Sequence, residues 1–388
     1  MKKNIKTAIV YHYAAHYRLG IFQELMQTED IEYTLISDKG SDNNIKTIDI
    51  KYSELPIGKG GLRWLFIKNK SFLKNKFLYQ KGLLSIFKNN DFDSAIFLGN
   101  IYYLTTWICV LYLKMKGKKI YFWTHGVTSN EQGIKWKLRK LFYGLGNKVL
   151  LYGENARKVM ISNGFKETKL TAIYNSLDYD AQVKNRASIS QELVHKTRRE
   201  LFNNPDIPIL FFVGRLTHYK KLDMILEAVK NLHENGTHVN ILFIGEGEAK
   251  QTLKNLTNEY HLENQVNFYG AVYDEKLLCN LVSAADLCVS PGEVGLTAIT
   301  SLGYGTPVLT HNDFNFQMPE YEAIIPKFNG DLFERGSTED LAIKIEDWFS
   351  FSKNLSRETI RKNCYKIIDE KYNPKHQTEL INNCIRTS

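Results

Sequence analysis

The sequence predicts an α/β protein built from two doubly wound, Rossmann-like domains. Three observations predict it. Short apolar runs alternate with helical patterns from one end to the other, as strands of a parallel sheet alternate with the helices that cover its two faces. The plan is carried through twice, on either side of a connection spanning 175–206 that holds a helix-compatible Ser188–Phe202 and the turn-rich run Asn203 to Asp206. Finally, 388 residues of which 43% are hydrophobic suffice for two separate cores.

The first domain, placed at 1–182, has strand candidates at Lys6–Val10, Glu32–Ser37, Ser94–Leu98, Lys119–Trp123, Lys148–Tyr152 and Leu170–Ile173. The second, placed at 183–356, has them at Pro208–Val213, Val239–Ile244, Val266–Phe268, Leu287–Ser290, Pro307–Thr310 and Ala323–Ile325. Two helical patterns broken at Pro374 follow in 357–388, and these are expected to pack back toward the first domain. The longest apolar tract, Ala95 to Leu113, is interrupted by Gly99, Asn100, Thr105 and Thr106, so it reads as a buried strand and a buried helix and makes a poor membrane span. Met1-Lys-Lys runs directly into Thr7–Val10 and the polar His12, without the apolar region or cleavage site of a signal peptide. Five scattered cysteines without metal-ligand spacing fit reduced thiols in a cytoplasmic protein, with no disulfide and no zinc expected.

The formal charge of +9 belongs to the first half. Residues 51–150 carry 18 Lys and Arg against 4 Asp and Glu, whereas residues 186–388 carry 22 against 27. In Leu62 to Lys74 and Ile134 to Phe142 the cations alternate with large apolar residues, a pattern that suits an anionic membrane surface and equally suits a solvated helix face whose aromatics enter the core. No nucleic-acid reading motif accompanies the charge, so no nucleic-acid partner is expected.

Ligands of doubly wound sheets bind at the carboxyl ends of the strands. That rule selects His12, His16, Gly99, Asn100 and the run Thr124-His125-Gly126 in the first half, and Gly214, Arg215, Gly245, Gly247 and Pro291 to Thr297 in the second. The buried strand Pro208–Val213 runs into Gly214 and then a helix opening near Leu222. Arg215 and Lys220 then stand at a strand-to-helix turn, where an Arg fork, a Lys point charge and exposed helix amides suit a diphosphate. The bland alternative is a surface ion-pair site at a helix start. Asp91-Phe-Asp93 precedes a strand, at the wrong edge for a metal beneath a diphosphate, and reads as a solvated strand start.

With these residues in hand, the chain resembles the GT-B glycosyltransferases of the large retaining family four, two Rossmann-like domains facing a central cleft. The likeness rests on Ile173 to Asp178, Gly214-Arg-Leu with Lys220, the Gly245-Glu-Gly turn and Gly305-Thr-Pro-Val308. It departs from the family at the two glutamates that usually stand with seven residues between them. Aligned on Gly295-Leu296 and on Gly305 to Pro307, the first falls on Gly292, with Glu293 beside it, and the second on Thr300. A threonine hydroxyl accepts a ribose hydrogen bond more weakly than a carboxylate does. The Pro-Gly-x-Val-Gly-Leu-Thr-Ala form reads as a variant branch.

The resemblance implies a transferase that moves a hexosyl or N-acetylhexosaminyl unit from a nucleotide-diphosphate sugar to a glycan or polyprenyl-linked acceptor in bacterial surface polysaccharide synthesis. It would work in the cytoplasm, on the inner face of the membrane, without a metal or other cofactor. Gly214, Arg215, Lys220, Gly245, Gly247, Glu293, Gly295, Leu296, Thr297 and Thr300 would hold the donor. His125, Glu293, Arg215 and Lys220 would act in catalysis, and His12, His16, Arg18, Asn100 and Tyr102 would shape the acceptor side. For a lone histidine or carboxylate the alternative is structural, His125 in a core and Glu293 as a helix N-terminal carboxylate. Two rival readings stay open: a sugar-nucleotide epimerase of the same fold, and an inactive donor-binding partner subunit.

Overall fold

The computed structural model describes residues 4–40, 45–73, 75–127 and 133–388. The chain divides into two compact units, Met1–Asp178 with Asn373–Ser388, and Tyr179–Tyr372. This division differs from the expected one at both ends. Helix Tyr179–Arg186 already belongs to the second unit, where Arg186 pairs with Asp369 at 2.8 Å. The tail is shared: helix Arg357–Glu370 stays in the second unit, tied by Arg357 to Asp286 at 2.9 Å, and only helix Pro374–Arg386 joins the first. Pro374 sits in the first turn of that helix, where its missing N–H costs nothing, and the Asn373 side chain caps the turn by accepting from the His376 amide.

The first unit contains β1 (Ile5–Tyr13), β2 (Ile31–Asp38), β3 (Trp64–Phe66), β4 (Lys68–Phe72), β5 (Phe77–Lys81), β6 (Ser94–Leu98), β7 (Lys119–Thr124), β8 (Lys148–Leu151) and β9 (Leu170–Ala172). Seven of them form one parallel sheet in the order β3-β2-β1-β6-β7-β8-β9, and β4 and β5 pair as an antiparallel hairpin. Successive side chains of a strand point to opposite faces. Ala8 and Val10 therefore enter one core with Phe97, Phe122 and Leu151, under Cys109 and Val110 of helix Leu104–Met115 and Phe142 of helix Ile134–Gly144. Ile9 and Tyr11 enter the other, with Ile96, Trp123 and Leu150, under Ile21 and Phe22 of helix Leu19–Met26 and Ile381 of the returning C-terminal helix. Burial on both faces is why these strands read as continuous apolar runs.

From Leu62 to Leu73 the chain is not helical. It holds β3 and β4, and in β4 exposed lysines at 68 and 70 alternate with half-buried Asn69 and Ser71. The lysine spacing of two is the period of a strand, and the helical alternative was the wrong period. Lys74 lies outside the described residues.

The second unit contains β10 (Ile209–Val213), β11 (Asn240–Ile244), β12 (Val266–Gly270), β13 (Leu287–Ser290), β14 (Val308–His311) and β15 (Gly330–Phe333), all parallel, in the order β12-β11-β10-β13-β14-β15. The strand expected at Ala323–Ile325 is instead the end of a 3-10 turn, Pro319–Ala323, and its exit. The edge strand begins at Gly330, where a side chain would stand 2.0 Å from the Val308 carbonyl oxygen. Apolarity marked the wrong segment because the tight edge pairing depends on a glycine. Helix Asp223–Glu234 follows β10 and buries Ile225, Leu226, Val229 and Leu232 at helical spacing.

Candidate functional site

Each sheet reverses its strand order once, between β1 and β6 in the first unit and between β10 and β13 in the second. Ligands of doubly wound folds bind outside the carboxyl ends of the strands at such points. Each unit has a pocket there.

In the first unit a cavity of ≈ 410 Å³ is lined by the ends of β1, β6 and β7, including Tyr11, His12, Arg18, Asn100, Tyr102, His125 and Tyr152. His12 occupies the end of β1 and not the loop after it, because that strand runs to Tyr13. Burial and the nearby Arg18 guanidinium push the His12 imidazole down to about 4, so its ring is neutral at physiological pH. Arg18 is buried. Its Nη2 donates to the Tyr152 hydroxyl at 2.5 Å, and its guanidinium lies 5.2–5.5 Å from the ring centres of Tyr11, Trp123 and Tyr152, a set of aromatic faces that holds a cation in place. His125 is exposed at the end of β7, with its ring 4.6 Å from that of Tyr152. Gly126 follows at φ +71, and a Cβ there would meet Leu151 at 2.7 Å, so the turn presenting His125 requires glycine. Asn100 turns its Oδ1 to the Tyr102 amide at 3.0 Å.

His16 is not brought to this cavity. It sits in a 3-10 turn, His16–Arg18, with Nδ1 3.0 Å from the Lys46 carbonyl oxygen, exposed and outside the lining. The alternation of β1 would have placed Tyr11 in the core, and its role as a pocket wall, shared with Trp123, Tyr143 and Tyr152, had no motif to announce it.

In the second unit the site is made largely of backbone. Gly245, at φ +152, packs so closely on Gly214 that a Cβ would stand 1.8 Å from the Gly214 carbonyl oxygen, and a Cβ on Gly247 would stand 2.2 Å from that of Leu216. The two turns are knitted by Gly214 N–H to Ile244 O at 3.0 Å and Leu216 N–H to Glu246 O at 3.0 Å. Thr297 Oγ1 donates to the Val213 carbonyl at 2.8 Å, which ties helix Leu296–Gly303 to the end of β10. Gly295, at φ +52, is the N-cap of that helix, whose first amides have no partners within it.

Lys220 donates from Nζ to the backbone carbonyl of Glu293 at 2.5 Å. Burial holds its ammonium below its ordinary value, the carboxylates of Glu293 and Glu320 favour the charged form, and Arg215 opposes it. An ammonium has three donors, so this bond leaves Lys220 able to make others. Arg215 is exposed and forms no hydrogen bond or ion pair among the described residues.

Gly292 is a fitted part of this loop. Its N–H donates to the Lys220 carbonyl at 3.0 Å, and a Cβ would stand 2.5 Å from the Tyr219 carbonyl oxygen. From the other side Gln317 accepts from the Val294 amide at 2.9 Å and donates to Thr310 Oγ1 at 2.8 Å. Thr300 is half-buried on the second turn of helix Leu296–Gly303.

A cavity of ≈ 780 Å³ opens beside the loop, lined by Gly292 and Glu293 with His218, Tyr219, His311 and Arg335 among others. Gly214, Arg215 and Lys220 adjoin it through the turn after β10 without lining it. His311 ends β14, so the carboxyl-end rule extended to that strand finds it; Arg335, which stacks 3.6 Å over the Phe316 ring, had no signal. Among the described residues no group of three or more His, Cys, Asp or Glu is placed to hold a metal ion. Asp91 and Asp93 lie 2.7 and 3.9 Å from Lys118, and Asp93 also accepts from the Lys6 amide at 2.9 Å, at the amino edge of the sheet.

Two doubly wound parallel sheets define the GT-B fold. HepE from Anabaena, solved with UDP, superposes with a TM-score of 0.74 over 99% of this chain and 100% of its own, at 14% identity.

Residues 194–367 match the family described as Glycosyl transferases group 1. The matched segment contains Gly214, Arg215, Lys220, Gly245, Gly247, Glu293 and Gly305. Glycogen synthase 2 of Nitrosococcus oceani is 31% identical over 160 residues, 36% of this chain and 32% of that protein. Protein CapJ of Staphylococcus aureus is 28% identical over 177 residues, 44% of this chain and 45% of that protein. The match thus spans 32% and 45% of the length of these two curated relatives.

Proposed function

We propose that the protein is a retaining glycosyltransferase that moves a hexosyl or N-acetylhexosaminyl unit from a nucleotide-diphosphate sugar to a hydroxyl of a glycan or lipid-linked glycan, in the synthesis of a bacterial surface polysaccharide. One observation carries the reading. The family-matched segment places a free Arg215, the Lys220 ammonium and the first amides of helix Leu296–Gly303 around interlocked glycine turns at the carboxyl edge of its sheet. Fixed cations and helix amides stabilise the charge that develops on a departing diphosphate without reorganising.

In this reading Arg215 forks onto the diphosphate and Lys220 adds a second charge while holding the Glu293 carbonyl. The Glu293 carboxylate accepts a sugar hydroxyl, and Thr300 takes the ribose. The first unit holds the acceptor between Arg18, His12, Asn100 and Tyr102, with His125 donating to a hydroxyl of the transferred sugar. Retention follows from attack on the face that the diphosphate leaves, with the acceptor proton passing to the departing phosphate oxygen. The tight fit of Gly292 favours an active variant over an inactive partner subunit, since the loop is built around the glycine and leaves no gap where a glutamate was lost.

The test is a thermal-shift panel of UDP, GDP, dTDP and CMP nucleotides and their sugars on the wild type and on Arg215→Ala. The Anabaena protein's complex makes UDP the first to try. One nucleotide class that stabilises the wild type and not the variant supports the reading; silence across the panel overturns it. Product analysis with a lipid-linked acceptor then separates transfer from epimerisation, which yields an altered donor and no glycan.

A further inference from the structure

The first unit exposes an apolar face with a basic surround. Helix Leu104–Met115 buries Cys109, Val110 and Leu113, while Leu104, Ile108, Leu111 (50% exposed) and Met115 (80%) form a stripe on its opposite side. Helix Ile134–Gly144 repeats the arrangement, with Phe142 and Tyr143 buried and Ile134 (85%), Leu138 and Leu141 (60%) exposed at one-turn spacing. Both helices press their buried residues into the same core, and Trp107 of one lies 4.7 Å from Phe142 of the other. They are therefore neighbours on one side of the sheet, and their outer stripes turn away from it together. The β4–β5 hairpin adjoins the start of the first helix through the Leu78–Tyr103 bridge and the bond from the Gln80 amide to Thr105 Oγ1 at 2.7 Å. It adds Phe72, Leu73 (74%) and Tyr79 to the exposed apolar residues.

Such residues at the surface of two adjacent helices call for a partner. The charge around them says which. Five lysines stand in 68–81, four in 104–119 and four cations in 134–144, with no Asp or Glu in any of the three stretches. A self-associating or protein-binding face is depleted of lysine at its core and balanced in sign. Lys118 is held by Asp91 at 2.7 Å; apolar side chains long enough to enter the headgroup layer, among the other lysines and Arg139, match an anionic bilayer. No described helix is long and apolar enough to cross a membrane, so the contact is one of lying on the surface.

We propose that this face, the hairpin with the outer sides of helices Leu104–Met115 and Ile134–Gly144, docks the protein on the surface of an anionic phospholipid bilayer. The inference stands on the surface itself and rests on the transferase reading only for its purpose, bringing the first-unit pocket to a lipid-carried acceptor.

The experiment is co-sedimentation of the full chain with phosphatidylcholine vesicles, with and without phosphatidylglycerol, at low and high salt. Binding is expected only with the anionic lipid, to weaken with salt, and to fall roughly tenfold or more in Leu111→Glu/Met115→Glu and in Ile134→Glu/Leu138→Glu. Ile343→Glu, an equally exposed apolar site on helix Thr338–Ser352 of the second unit, should bind as the wild type does. These are surface changes, and an unchanged melting temperature certifies that the variants fold. Absence of binding at low salt, equal binding to both vesicle types, or a dimer in sedimentation velocity that the same substitutions dissolve would overturn the proposal. The nucleotide thermal shift is recorded on the same samples: a wild type that shifts with nucleotide and does not bind the anionic vesicles sinks the docking face alone, and vesicle binding with no nucleotide shift supports the face and sinks the transferase reading.

Discussion

The pockets of the two units stand at equivalent points of similar sheets and are built by opposite means. The first is walled by side chains: Tyr11, Trp123, Tyr143 and Tyr152 enclose it, and a buried Arg18 is held among aromatic faces and by the Tyr152 hydroxyl. The second is bounded by backbone, where Gly245 nests on Gly214, Gly247 on Leu216 and Gly292 on Tyr219 and Lys220. A side-chain wall can be remodelled one residue at a time, so in the proposed reading it suits the acceptor, the partner that varies. Interlocked peptide turns tolerate little change, and they suit a group common to all donors, the diphosphate. The contrast predicts that substitutions in the second site act through the backbone and in the first through individual contacts.

The largest effect is expected from Gly245→Ala. The added methyl would fall 1.8 Å from a backbone oxygen at a φ of +152, which no side-chain movement relieves. We expect a loss of about 4 kcal/mol or more in denaturant unfolding of the second unit, together with loss of nucleotide binding. Gly236→Ala is the control. Its φ is also positive, at +83, but the space around it is open, and the cost should be about 1 kcal/mol. Equal costs at the two positions would show that the nested turns contribute nothing special.

Arg215→Ala comes next, and it should separate activity from stability. The side chain is exposed and unpaired among the described residues, so the unfolding midpoint should not move. Loss of a cation from a departing diphosphate should lower kcat/KM by about 2–4 kcal/mol of transition-state stabilisation. Turnover near that of the wild type would remove Arg215 from the mechanism. Lys220→Ala should differ by lowering stability as well, because it also frees the Glu293 carbonyl.

His12 gives a pH signature to the first unit. Its folded value near 4 lies below the ordinary 6.5, so the folded state holds the neutral ring. The resulting stability is present in full above pH 6.5 and is lost as pH falls toward 4. Between pH 7 and pH 5 the loss should be about 2 kcal/mol, and His12→Gln should flatten the profile by that amount. An unchanged slope in the variant would place the proton uptake elsewhere.

Legibility in the sequence followed the same division. The central strands of both sheets were readable because burial on two faces demands apolar runs, and Gly214, Gly245 and Gly295 were readable because only glycine permits those turns. The edges were not. β15 depends on a single Gly330 beside Val308, and the lysine-rich β3 to β5 region mimics an amphipathic helix until its period is counted. In the first pocket, His12 and His125 were found from their positions at strand ends, whereas Tyr11 and Trp123 read as core. They are core, and the cavity lies against their edges. His16 had the same spelling as a site residue but faces Lys46, a choice made by a loop contact that no local pattern encodes.

Tyr152→Phe is the mildest change and the sharpest test of how the first pocket is held. The Tyr152 ring lies against His125, 4.6 Å between centres, while its hydroxyl accepts from Arg18 Nη2. Phenylalanine keeps the ring and removes the hydroxyl, so His125 retains its ring support while the anchoring of Arg18 and the hydroxyl's interaction with Tyr11 are touched. A hydrogen bond to a charged donor is worth about 1.5–3 kcal/mol, and the three aromatic faces around the guanidinium should hold the cost to the lower end. If Arg18 positions the acceptor, the acceptor KM should rise while the donor KM and kcat stay as they are. A fall in kcat with an unchanged KM would instead mean that the hydroxyl acts on His125, and that the aromatic wall belongs to the chemistry and not to acceptor binding.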